Sequence, residues 1–183
     1  MLNHIGNDLC RGLLIFARGQ PLGKDGLKWV KVQIANLMGF DKQSFADRVA
    51  YVDENMENVR QAVADPLGEF GGWWKAADDP WQCLAACYEL TEALDSGNPE
   101  SYISHLPIHQ DGTCNGLQHY AALGGDRYGA EHVNLVPGKK PQDIYSEVLK
   151  LVQDKVHLEA LDGSPEAQAL DGNLSRKVNF ILK

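Results

Sequence analysis

Fifteen consecutive residues hold the densest chemistry in this 183-residue chain: Leu106-Pro107-Ile108-His109-Gln110-Asp111-Gly112-Thr113-Cys114-Asn115-Gly116-Leu117-Gln118-His119-Tyr120. A short apolar-polar run ends on the carboxylate of Asp111, a glycine follows, and helix-compatible residues begin directly after. An aspartate at a strand end, beside backbone that a ligand can approach closely, suits a hard cation such as magnesium, which takes oxygen ligands. Gly112 has no side chain, so its carbonyl is free to approach an ion as well. Two-metal phosphoryl transfer needs carboxylates holding divalent ions about 3.5–4 Å apart, one activating the attacking hydroxyl and one stabilising the leaving oxygen. A helix starting at Thr113 or Cys114 would present amides that favour negative charge nearby. On that helix Asn115 and His119 share a face with Gln118 beside both, and Cys114, Leu117, Ala121 and Gly124 lie opposite. The polar face either supports the site through hydrogen bonds or fixes the helix against its neighbours as a buried network.

Other readings of the same residues stand beside this one. An isolated aspartate after a strand is commonly a turn-former or a helix cap. His105, His109, Asp111 and His119 also supply zinc ligand types. However, His105 and His109 flank Pro107 in extended chain, where positions i and i+4 lie about 13 Å apart, too far for one zinc without a bend. The four cysteines, Cys10, Cys83, Cys87 and Cys114, form no CxxC pair and read as buried free thiols.

Positioning these residues requires a scaffold, and the first hundred residues read as helices. Asn7 and Asp8 cap a helix carrying Leu9, Leu13 and Phe16, with Gly19 as its stop. Leu27, Val30, Ile34 and Leu37 repeat at helical spacing up to Gly39. Phe45, Val49, Val52, Met56, Val59 and Val63 predict one long amphipathic helix, opened by Ser44 with Asp47 and closed by Asp65-Pro66. Residues 67–78 read as a loop, in which Trp73 and Trp74 either pack back on the domain or stack on a base. Asp79-Pro80-Trp81-Gln82 reads as N-cap, N1 proline and N3 glutamine of a helix with a broad apolar surface. Residues 105–110 are expected as a strand and 114–123 as a helix. A short strand is expected at His132–Leu135, and from Pro141 a helix whose Ile144, Val148, Leu151 and Val152 face a core. Residues 161–172 read as a polar linker.

Composition narrows the class. With 44% hydrophobic and 23% charged residues the chain is an ordinary globular one. No apolar run approaches the ~18 residues of a membrane span. Met1–Asp8 lacks the basic flank and apolar stretch of a signal peptide. The net charge of −8 is the opposite of the basic surplus expected of a free-standing nucleic-acid binder. Either nucleic acid is not the ligand, or the basic surfaces belong to regions outside these residues.

The Asp111 motif resembles the catalytic aspartate motif of the single-subunit, phage-type DNA-directed RNA polymerases. Further segments fit that family in order: Asn3-His4-Ile5-Gly6-Asn7-Asp8, Ala17-Arg18-Gly19-Gln20-Pro21-Leu22-Gly23, Trp29-Val30-Lys31-Val32, Trp73-Trp74, Asp79-Pro80-Trp81-Gln82-Cys83-Leu84, Val133-Asn134-Leu135 and Pro141-Gln142-Asp143-Ile144-Tyr145. Ser104-His105-Leu106-Pro107 and Gly116-Leu117-Gln118-His119-Tyr120 are most similar to the mitochondrial branch.

The resemblance implies an α-rich α+β fold, part of a right-hand palm and fingers polymerase core. Residues 1–104 would be a helical part of that core, 105–160 the palm segment with the aspartate motif, and 161–183 a linker and the start of a fingers helix. It implies synthesis of RNA from nucleoside triphosphates on a DNA template, with magnesium (Mg2+) as cofactor. DNA, RNA product and nucleotides are then the partners, with transcription factors as further candidates and no membrane. Asp111 matches the first of two metal-binding aspartates, and Gly112 the neighbour offering a backbone oxygen. Arg176, with Lys177, matches the start of the family's nucleotide-binding signature. A mitochondrial location is implied, with a chloroplast one open to the same family.

Three departures accompany the match. Gly125 stands where many members have arginine, Phe180 stands where the fingers lysine belongs, and the second catalytic aspartate is absent from these residues. The expectation is therefore that this chain alone is inactive. A non-catalytic scaffold or binding module derived from a polymerase is the alternative, followed by a metal-dependent hydrolase.

Overall fold

The computed structural model describes residues 7–108 and 114–171. The chain divides into two compact units, one running through residue 112 and taking in 139–141, the other comprising 113–138 and 142–183. The expected α-rich class holds: among the described residues the sheet structure is a single two-stranded antiparallel ladder.

In the first unit, α1 (Asp8–Gly12) begins at Asn7, whose side chain accepts a hydrogen bond from the Leu9 amide. It ends far short of the expected Gly19. Gly12, its last residue, lies against the Trp81 backbone, where an added Cβ would come within 2.7 Å. Leu13 and Phe16, expected on the helix's apolar stripe, are exposed beyond its end. The chain then forms β1 (Gln20–Pro21) and α2 (Gly23–Ala35).

A wide turn at Asn36–Phe40 follows α2, broken by Gly39 at φ 82° as the sequence suggests. Arg48 pins this turn from the next helix. Its guanidinium donates to Asn36 Oδ1 at 2.7 Å, to the Gln43 carbonyl at 2.9 Å and to the Asp41 carbonyl. Burial lowers the Arg48 pKa, while the Asp41 charge works the other way.

The long helix expected from Phe45 to Val63 is two helices, α3 (Phe45–Glu54) and α4 (Met56–Ala64). Ser44 caps α3 as expected, accepting from the Asp47 amide at 3.2 Å and donating to its carboxylate at 2.6 Å. The break is at Asn55, whose side chain donates to the Tyr51 carbonyl at 2.8 Å and accepts from Asn58 at 2.9 Å. Asparagine competes locally for backbone partners in this way, and here that ends one helix and starts another.

The expected loop at 67–78 contains a tight helical turn, Gly71–Ala76. Trp74 is buried, and its indole donates to the Pro66 carbonyl at 3.0 Å; Trp73 packs on the core. Packing back on the domain is therefore what these tryptophans do.

Helix α5 (Pro80–Asp95) is the axis of the unit, packed by α1, α2 and α4. Its Cys83, Cys87 and Leu90 are fully buried with Ile34, Val52 and Val59. The two thiols are free, as expected, and their mutual hydrogen bond, with burial, pushes the Cys87 pKa far up. Asp79 holds the N-cap position but makes no side-chain cap. Asp8 does that work from α1, accepting from the Trp81 amide at 2.7 Å, the Gln82 amide at 3.3 Å and the Gln82 side chain at 3.1 Å.

The second unit holds α6 (Asn115–Gly124), α7 (Arg127–His132), α8 (Ile144–Leu161) and α9 (Pro165–Leu170). Where a strand was expected at His132–Leu135, α7 ends instead. Asp126 caps α7 by accepting from the Gly129 amide at 3.0 Å, which nucleates a helical turn over the preceding residues. Helix α8 starts at Ile144, three residues later than the expected Pro141, because Asp143 caps it, accepting from the Tyr145 amide at 3.0 Å. Its Val148, Leu151 and Val152 do not face a core among the described residues, because the helix packs chiefly on short α9 and leaves them exposed. Ser164 caps α9 within the stretch that reads as a linker, and Ala167 is buried against α8's side of the unit.

Candidate metal and nucleotide site

The residues expected to hold the ion, Asp111 and Gly112, lie outside the described residues, as do His109, Arg176 and Lys177. What the structure describes is the anchoring on either side.

Upstream, the ladder is β2 (Ile103–Ser104), paired with β1 so that Gln20 faces Ser104 and Pro21 faces Ile103. This corrects the expected strand at 105–110 over its described part: the ladder lies two residues earlier, and His105–Ile108 belong to no strand. Pro107 lacks an amide to donate, which limits pairing beyond it. His105 is tied outside the ladder's register, to Phe16. Its carbonyl accepts from the Phe16 amide at 2.9 Å, and its Nδ1 lies 2.7 Å from the Phe16 carbonyl, so that nitrogen carries the proton. Gly19 lies against the Ile103 and His105 side chains, leaving no space for a Cβ. The segment entering the motif is thus fixed to the first unit by backbone and histidine together, and Leu106 packs against its core. With Nδ1 used this way, His105 serves as a structural tie.

Downstream, the backbone turns sharply at Cys114, in the left-handed region at φ 57° and ψ 47°. Helix α6 starts at Asn115, one residue later than expected. The Tyr145 hydroxyl bonds with the Cys114 thiol, and that bond raises the Tyr145 pKa. Gln118 does not point to an open site: its amide donates to the Val133 carbonyl at 2.7 Å. That bond ties α6 to the turn that follows α7. Asn115 and His119 are exposed on the same helix. Gly125 ends α6 at φ 64°, with its amide bonded to the Ala121 carbonyl. A glycine therefore has a local backbone reason to stand there. Among the described residues no three His, Cys, Asp or Glu side chains gather as a metal-binding group.

The family model described as DNA-dependent RNA polymerase matches residues 20–179. That span covers most of the chain and includes Asp111, Gly112, Asn115, Gln118, His119 and Arg176.

The chain belongs to the DNA-dependent RNA polymerase family.

Polymerase relatives agree along nearly its whole length. The mitochondrial DNA-directed RNA polymerase of Neurospora crassa is 55% identical over 177 residues, covering 97% of this chain and 12% of the relative. The mitochondrial enzyme of Schizosaccharomyces pombe is 52% identical over 177 residues, covering 97% of this chain and 15% of the relative. The chloroplastic/mitochondrial DNA-directed RNA polymerase 2B of Nicotiana tabacum is 48% identical over 185 residues, covering 97% and 18%. The chain thus spans less than a fifth of the length of these polymerases. The similarity carried by the Asp111 motif and its flanks holds well beyond the motif.

Two residues with structural roles escaped the sequence reading. Asp8 is read there as part of its own helix start, and nothing local signals that it caps α5 from 73 residues away. Asn134 appears only within a matching tripeptide; an asparagine just past a helix, before a Pro- and Gly-containing loop, was the available signal for a left-handed turn.

Proposed function

We propose that this chain supplies the first metal-binding carboxylate, Asp111, of an organellar DNA-directed RNA polymerase. The observation that carries the reading is the family match over residues 20–179, a span that includes the motif. Asp111 and the Gly112 carbonyl form an all-oxygen donor set, which fits magnesium rather than a softer metal. Bound there, magnesium would stabilise charge on the reacting phosphate and on the attacking and leaving oxygens. The chain's own part is to hold the carboxylate in place. The β1–β2 ladder and the His105–Phe16 bonds fix residues 103–105 ahead of the motif, and the turn at Cys114 fixes the start of α6. Arg176 belongs to the nucleotide-binding side of this reading, and DNA template, RNA product and nucleoside triphosphates are the partners, with transcription factors beyond them. The names of the relatives support a mitochondrial location, with plastids as the variant seen in a plant relative.

A two-ion site needs a second carboxylate besides Asp111, so the 183 residues by themselves are expected to make no RNA. The test is a segment exchange in which this chain replaces the matching 177 residues of the Neurospora crassa enzyme. Template-directed RNA synthesis by the chimera, lost on Asp111→Asn, is the expected result. A folded, DNA-binding chimera without synthesis would instead favour a non-catalytic scaffold derived from a polymerase.

A further inference from the structure

Among the described residues of the second unit the buried apolar side chains are Ala121, Ala130, Val133, Ala160 and Ala167, four alanines and one valine. At about 25 cal/mol per Å² of apolar area, side chains of this size bring little stabilisation. Hydrogen bonds must then set how its helices register, and one set does so across the loop between α7 and α8.

Asn134 stands at φ 59°, in the left-handed region that asparagine tolerates better than most residues. Its side chain grips the backbone of Gln142 twice, donating from Nδ2 to the Gln142 carbonyl at 2.8 Å and accepting at Oδ1 from the Gln142 amide at 2.7 Å. This bidentate pair closes the loop 135–141, which contains Pro137, Gly138 and Pro141. The chain on each side of the grip is tied to a helix. Val133, next to Asn134, accepts from Gln118 of α6, and Asp143, next to Gln142, caps α8. Helix α6 begins four residues after Asp111.

We propose that Asn134 is a positioning residue for the polymerase site: its two bonds to Gln142 lock α6 and α8 in one register and so steady the segment leading out of the Asp111 motif. The inference rests on the proposed function. Asn134 touches no reacting atom; it acts through Gln118 and α6. A displacement of the order of 1 Å at a reacting group can cost about a hundredfold in rate, so a partial loosening should be visible in turnover.

The experiment uses the full-length polymerase carrying this segment and compares Asn134→Gly, Asn134→Asp and Asp111→Asn. Glycine accepts the left-handed backbone but removes both bonds; aspartate keeps the acceptor for the Gln142 amide and loses the donor. The expected result is a roughly tenfold fall in kcat for Asn134→Gly, with KM for nucleotide within about twofold, and a several-fold rise in the magnesium concentration giving half-maximal rate. Asn134→Asp should fall between glycine and wild type. Wild-type kcat and magnesium dependence in Asn134→Gly would overturn the proposal. So would a lowered melting temperature with unchanged magnesium dependence, which marks a purely structural role. If the glycine variant does not fold, the aspartate variant decides by the same two readouts. An active Asp111→Asn enzyme would mean that the proposed function has failed. An inactive Asp111→Asn beside a wild-type-like Asn134→Gly removes only this inference.

Discussion

Glu89 on α5 holds one carboxylate oxygen buried and without a hydrogen-bond partner. Loss of water raises its pKa, Glu92 adds to the rise, and the Ser104 hydroxyl and His105 oppose it. The folded chain therefore keeps this proton more readily than the unfolded chain. Below the unfolded glutamate value, near ~4.3, the group is neutral in both states and does not oppose folding. As pH rises through the elevated folded value, the charge must be held in a poorly hydrated place and stability is lost. Glu89→Gln should accordingly raise the melting temperature at neutral pH, and the gain should vanish by about pH 4. Equal melting temperatures at neutral pH would show that the charge is well hydrated. Nothing in the local sequence marks Glu89, because its surroundings come from Ser104 and His105, far along the chain. By contrast, caps such as Ser44 and Asn7 were readable because their partners lie two or three residues away.

The helices themselves follow apolar spacing wherever one face meets the core: α2 with Val30 and Ile34, and α5 with Cys83, Cys87 and Leu90, lie where the pattern puts them. Their limits depend on polar competition that apolar spacing does not record. Asn55 divides one expected helix into two, and Asp126 starts a short helix that ends at His132, where a strand was expected to begin. The start of α5 is secured from outside by Asp8. Asp8→Ala removes three hydrogen bonds and a negative charge from that N-terminus, and should destabilise the chain by about 1–2 kcal/mol in urea unfolding. Asp79→Ala, which removes no such bond, should cost clearly less. If the two variants unfold alike, the remote cap contributes nothing.

Across the chain, the motif and its flanking matches made the family readable, while the pairing of the segment that enters the motif was not. Strand pairing of 103–104 depends on residues 20–21 and on the close approach at Gly19, which no single-segment pattern contains. Among the described residues Val148 is 51%, Leu151 63% and Val152 44% exposed, so apolar spacing alone overestimated how much of α8 would be covered. The net charge of −8 is that of a chain spanning 12–18% of the length of the three polymerase relatives. The decisive quantity is the rate of nucleotide addition by the full-length polymerase carrying Asp111→Asn, measured in primer extension at saturating magnesium. Asparagine keeps the side-chain shape but removes the charge that holds the cation, and metal stabilisation worth several kcal/mol is lost with it. The expected outcome is a fall of about a thousandfold or more with DNA affinity unchanged, since phosphate contacts elsewhere supply that affinity. A rate within a few-fold of wild type would mean that Asp111 is not a catalytic metal ligand.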